Sequence, residues 1–224
     1  MATDSPFNSL PDEIVLKIIA MASETHNFIA DTVAEVSERF RRIAADKSLW
    51  RGVVRFCGSD RDTKVQEVIQ RFLNRGVTEL VIFGELWTNQ GPMIVREDIR
   101  NIATKCPTLA RLSLPFVMSW PTLDAPLSSL KSLTIMKGIS VGCFDNVELH
   151  KSVPNLKYFW LGGCTQQINL PNLSGCKRLG RIDLRGEGFK FKLNPSMGGG
   201  SWSWGMQSGA ITGRRLGYWK KTAR

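Results

Sequence analysis

No run of about 18 uninterrupted apolar residues occurs in this chain, so nothing in it reads as a membrane-spanning helix. The stretch from Met1 to Pro11 lacks the basic and apolar regions of a secretory signal. C-x-x-C is absent and histidine occurs only twice, so the tight ligand pairs that a zinc site needs are missing. The five cysteines (Cys57, Cys106, Cys143, Cys164, Cys176) are odd in number, which fits reduced, buried thiols. His26 and His150 stand in no motif with any of them, so the base that would activate a thiolate is not in view. Gly198 to Gly200 is not followed by Lys-Ser/Thr, so no phosphate-cradling loop is present. These absences predict a cytoplasmic or nuclear protein with no catalytic residues, no metal and no cofactor.

What is present is a globular composition, 42% hydrophobic and 22% charged over 224 residues, enough for one or two domains. The net charge is +10, but from Gly186 onward seven Lys/Arg stand against Glu187 alone. Most of the surplus therefore belongs to one end. A basic tail favours polyanions without reading sequence, so nucleic acid is a weak expectation.

Three segments differ in pattern. Residues 5–56 read as three short helices. Ser9 and Pro11 mark a start, Asp12 and Glu13 suit the positive end of a helix dipole, and Ile14, Ile18 and Met21 form a stripe. Phe28, Ile29, Val33, Val36 and Phe40 form a second stripe, and Ala44 to Val54, with Leu49 and Trp50, a third piece. Helices of this size bury little by themselves and need a neighbour or partner.

Residues 62–185 repeat one short pattern, apolar-x-x-apolar-x-apolar. It recurs as Val77/Leu80/Ile82, Leu109/Leu112/Leu114, Leu130/Leu133/Ile135, Leu156/Phe159/Leu161 and Leu179/Ile182/Leu184. First positions lie 32, 21, 26 and 23 residues apart. Such periods belong to units of one strand and one return, which must stack to bury a continuous core. Stripes at Val65, Val68, Ile69, Phe72 and Leu73, and at Val95, Ile99, Ile102 and Ala103, predict helical returns before the first two strands. The later returns, richer in Pro and Gly, are expected to be extended or 3₁₀. Residues 186–224, with Trp202, Trp204 and Trp219 but no apolar periodicity, are expected to be a flexible tail. No polar-faced closing unit is visible, as in a truncated or variant product.

The segment from Asn8 to Ile18, with Leu10-Pro11-Asp12-Glu13-Ile14 at its centre, resembles the opening of an F-box. Val36 to Ala44 and Asp46 to Arg51 resemble its closing half. The departures are a polar Ser23 to Ala30 and Phe40 where many members carry Trp. Cys106-Pro-Thr-Leu109 and Cys176-Lys-Arg-Leu179 are similar to the Cys-x-x-Leu of cysteine-containing leucine-rich repeats in F-box proteins. Leu156-x-x-Phe159-x-Leu161-x-x-Cys164 is similar to the repeat's closing half. The resemblance implies an α+β architecture, a three-helix F-box followed by a short leucine-rich-repeat solenoid. It also implies a substrate-recognition subunit of a cullin–RING ubiquitin ligase, joined to the cullin by a Skp-type adaptor. Carried over by motif, Leu10, Pro11, Ile14, Ile18, Val36, Leu49 and Trp50 are expected to contact the adaptor or support that contact.

Strand parity gives the client face. Arg111, Met136, Tyr158, Trp160, Arg181 and Arg185 are expected to point to the concave side, where exposed aromatics beside arginine suit a protein interface. The arginines predict an acidic or phosphorylated client segment. The competing readings are a repeat scaffold without a ligase role and a basic-tailed polyanion binder.

Overall fold

The computed structural model describes residues 6–22, 26–58, 64–84, 92–138, 144, 147–164, 170–173, 175–186, 202–208 and 215–221. Of 6, 8, 58, 64, 137–138, 163–164, 185–186, 202–208 and 215–221 it gives the backbone alone. A 3₁₀ turn, Pro6–Ser9, leads into helix α1, Asp12–Ala22. A π-helical segment, Phe28–Val33, runs into a short α turn, α2, Ala34–Val36, and helix α3 spans Glu38–Ala44. Ser37 caps α3, its hydroxyl accepting the Phe40 N–H at 3.3 Å.

The expected third helical piece, Ala44 to Val54, is instead a turn that opens into a strand. Strand β1 spans Gly52–Gly58, entered through Gly52 at φ +66°, a left-handed conformation that glycine adopts without strain. Val54 and Phe56 alternate inward from it and are fully buried. The strand was not legible because its apolar positions read equally well as the end of a helix stripe.

Parallel strands follow in chain order: β2 (Val77–Gly84), β4 (Arg111–Val117), β5 (Ser132–Gly138), β6 (Tyr158–Cys164) and β7 (Arg181–Gly186), each beside its predecessor. A two-residue strand, β3 (Met93–Ile94), pairs with the far half of β4, where β2 no longer reaches. Register aligns the alternating side chains into two buried rows. One is Val54, Leu80, Leu112, Leu133, Phe159 and Ile182; the other is Phe56, Ile82, Leu114, Ile135, Leu161 and Leu184.

The approach to each strand repeats as well. The N–H of Val77, Leu109, Leu130, Leu156 and Leu179 bonds back to the carbonyl three residues earlier, on Asn74, Cys106, Leu127, Val153 and Cys176 respectively. Cys106 and Cys176 therefore occupy one structural position, a small buried side chain under a tight turn. The returns α4, Lys64–Arg71, and α5, Arg96–Lys105, are helical, whereas α6, Leu149–Ser152, is a single turn. At the start of α5 the Asp98 carboxylate accepts the Val95 N–H at 3.0 Å, and its burial raises its pKa.

Two stretches of the tail depart from the expectation of a flexible segment, and its residues 187–201, 209–214 and 222–224 lie outside the described residues. Strands β8, Trp202–Ser208, and β9, Arg215–Lys221, form an antiparallel hairpin, and β9 pairs with β7. An unpaired parallel edge presents free N–H and C=O groups, and the hairpin occupies that edge. Its alternation is too short and too rich in Gly to stand out from the surrounding composition.

At the other edge the helices and the sheet share one core. Trp50 is fully buried, stacks on Phe72 with ring centroids 4.4 Å apart, and donates its indole N–H to the Ala44 carbonyl at 2.8 Å. Beside it the free edge of β1 is taken up by two side chains. Asn27 accepts the Cys57 N–H at 2.7 Å and donates to the Cys57 carbonyl. His26 accepts the Arg55 N–H on Nδ1 at 3.2 Å and meets the Leu49 carbonyl through Nε2 at 3.1 Å. That pair of contacts requires the neutral ring with its proton on Nε2.

Trp50→Ala should cost about 3–5 kcal/mol of stability, as large aromatic truncations in packed cores do, read from denaturant unfolding of the chain. Burial pushes the His26 pKa below its ordinary 6.5, so the unfolded chain binds the proton more readily. The His26 contribution is thus complete above 6.5 and lost as pH falls through the lower folded value. The wild-type denaturation midpoint should drop across that window, and His26→Gln should flatten the drop.

Candidate functional site

Two surfaces carry exposed or half-buried apolar side chains, one on the helices and one on the sheet. On α1 the residues Val15 and Ile19 turn inward, while Ile14 and Met21, two helical turns apart, face out. Phe7, Phe28 and Val36 are exposed in the same module, Met21 at 81% and Val36 at 61%. Large apolar side chains left this open in a small helical module mark a contact surface rather than a core.

The segment carrying Leu10 and Pro11 is held by Arg39. Its guanidinium donates to the Asp12 carboxylate at 2.8 Å, to the Phe7 carbonyl at 3.1 Å and to the Leu10 carbonyl. Arg42 reaches the other Asp12 oxygen at 3.1 Å. The Arg39 hydrogen bond is the main reason the Asp12 carboxyl lies below its usual range. Phe7 meets Phe40 edge-on, with ring centroids 6.5 Å apart.

Of the residues expected to serve an adaptor, Ile14 and Val36 are exposed, Pro11 is exposed, and Leu10 and Ile18 are half-buried. Leu49 and Trp50 are buried in the joint with the sheet, which leaves them the supporting part of that expectation. Met21, Phe28 and Phe7 belong to the exposed face and were missing from the motif-based set. The signal for Met21 was its spacing of seven from Ile14, which places both on one side of α1.

The sheet face opposite the buried rows is also ordered by register. One row runs Val53, Glu79, Arg111, Ser132, Tyr158 and Arg181; the next runs Arg55, Val81, Ser113, Thr134, Trp160 and Asp183. Arg111, Tyr158, Trp160 and Arg181 thus share one face, with Met136 half-buried two positions beyond Thr134 on β5. The Trp160 ring lies flat over Gly162, where a Cβ would stand 2.2 Å from it. The side chain of Arg185 lies outside the described residues.

Two arginines of this face, Arg111 and Arg181, are already matched. Arg111 pairs with Glu79 across adjacent strands at 3.3 Å. Arg181 meets both oxygens of the Asp183 carboxylate at 2.8 Å and lies over the Tyr158 ring, whose hydroxyl donates to Asp183 Oδ2 at 2.8 Å. An acidic or phosphorylated client segment meeting Arg111 or Arg181 would have to displace these carboxylates. The partners were invisible in the sequence because each is brought in by register from a neighbouring strand or from two residues along.

Cys106 and Cys176 are held as thiols. Burial pushes the Cys106 thiol up to about 12 and Cys176 to about 11, so both are protonated and unreactive at neutral pH. Among the described residues no group of three or more His, Cys, Asp or Glu side chains is arranged to hold a metal ion, and no helix is long and apolar enough to cross a membrane.

Burial first, and then the bond it donates to the Asp183 carboxylate, push the Tyr158 phenol up to about 12. Alkaline difference spectroscopy should show one of the two tyrosines of the chain ionising near that value, and Asp183→Asn should move it down.

No curated protein matches the chain. Residues 7–55, which span the exposed apolar helices, the Arg39 clamp and the buried Trp50, match the F-box-like family, so the chain carries an F-box-like domain at residues 7–55.

Proposed function

We propose that the chain is a non-catalytic, substrate-recruiting adaptor of an F-box-type cullin–RING ubiquitin ligase. The observation that carries this reading is the unpartnered apolar face of Ile14, Met21, Phe28 and Val36 within the matched domain. F-box domains generally bind Skp-type adaptors, and helices with outward apolar anchors suit docking into a partner's groove. Through that adaptor the chain reaches a cullin. The in-register strands and repeated turns of residues 62–185 support reading them as a short leucine-rich-repeat solenoid.

The client is then a protein held on the face of Met136, Tyr158 and Trp160. The mechanism is positional. Holding a client at one end and the ligase core at the other raises the effective concentration of its lysines at the conjugating enzyme, with no bond made or broken by this chain.

One observation favours a second reading. Trp50 and β1 make the helices continuous with the sheet core, so the helical module also serves as the end cap of a scaffold. Co-purification separates the two readings. Ile14→Glu with Val36→Glu alters exposed positions only and should leave far-UV circular dichroism unchanged. Each lost anchor should weaken capture of a Skp-type adaptor by about 2 kcal/mol or more. Undiminished capture by the double variant would remove the ligase reading and leave the scaffold.

A further inference from the structure

Where the helical module meets the first returns of the sheet, a cavity of about 650 Å³ opens between Lys47, Arg51, Arg75 and Lys105. These four cations come from three separate stretches of chain. No carboxylate lines the cavity, and none of the four takes part in an ion pair among the described residues. The Lys105 ammonium donates only to the Gln70 carbonyl. The nearest acidic group, Asp46, is bound to the Ser48 N–H at 2.8 Å and to its hydroxyl at 2.6 Å. Asp46 feels the Arg51 charge only as the least of the influences on its pKa.

The walls are held rigidly. Asn74 donates to the Trp50 carbonyl at 2.9 Å and accepts the Gly76 N–H at 2.8 Å, and the Gly52 N–H reaches the Gly76 carbonyl at 2.9 Å. The stem of Arg51 crosses Gly76, where a Cβ would stand 2.8 Å from its Cγ, so the missing side chain gives Arg51 its path. On the far side the Thr108 hydroxyl pins the Arg75 carbonyl at 2.7 Å. Four like charges lining one cavity repel one another, and an anion bound among them turns that repulsion into attraction.

The lining also restricts the kind of anion. It contains no aromatic ring to stack a base and only one large apolar side chain, Leu73. Its volume falls within the range of about 300–1,000 Å³ typical of small-molecule sites. We propose that this cavity binds a compact, multiply phosphorylated small molecule. Lys47 and Arg51 would hold it from the helical module, and Arg75 and Lys105 from the sheet. A ligand gripped from both sides stabilises their relative placement by mass action. The site stands apart from both docking faces and does not depend on the ligase reading.

The test uses sodium tripolyphosphate titrated into the full chain by calorimetry, at constant ionic strength, with chloride and sulfate as controls. Saturable binding with a raised thermal midpoint is expected for tripolyphosphate alone. Arg75→Gln with Lys105→Gln should weaken it at least about tenfold, since each removes a charge-assisted bond. Lys47→Gln with Arg51→Gln, on the opposite wall, should do the same, so misfolding of one variant leaves the other decisive. Replacing Lys190, Lys192, Lys220 and Lys221 by Gln should leave binding unchanged. No binding by the wild type overturns the proposal, as does loss that follows the tail variant instead of the wall variants.

Discussion

The joint around Trp50 is the contact on which the rest of the structure depends. A strand at the edge of a sheet leaves its N–H and C=O groups open. Here β1 has its edge covered by His26 and Asn27, which reach it from the helical module in place of another strand. The Trp50 indole fills the space behind, stacked on Phe72 from the first return. Helices too small to bury a core of their own thereby share the core of the sheet, and their opposite face can carry exposed apolar residues without loss of the fold.

That division of labour explains the uneven use of hydrophobic residues in the helices. Val15, Ile19, Ile29 and Val33 are spent on the shared core, whereas Ile14, Met21, Phe28 and Val36 are not. Arg39 keeps the N-terminal segment against α1 by bonding two backbone carbonyls and one carboxylate. The N-terminal segment is therefore fixed by contacts within the chain itself.

The sheet presents a different kind of surface. Glu79 pairs with Arg111 across strands, and Asp183 pairs with Arg181 along β7 and accepts from Tyr158 on β6. Tyr158 and Trp160 stand half-exposed beside these pairs. At the joint, by contrast, Lys47, Arg51, Arg75 and Lys105 line one cavity without a carboxylate among its walls.

Much of this was written in local pattern. The alternation in Leu112/Leu114 or Ile182/Leu184 announces a strand and its buried side, because side-chain parity is a property of a few consecutive residues. The helical stripe of Ile14, Ile18 and Met21 and the F-box-like run around Leu10 to Ile14 were legible for the same reason. What only the folded chain decided is pairing at a distance. Asn27 meets Cys57 across 30 residues, Arg111 meets Glu79 across 32, and Tyr158 meets Asp183 across 25. The burial of Leu49 and Trp50, the added strands β1, β8 and β9, and the cationic cavity all follow from such meetings. Spacing along a segment says which way each side chain points, but which distant group stands there is set by strand register and by the docking of one module on another.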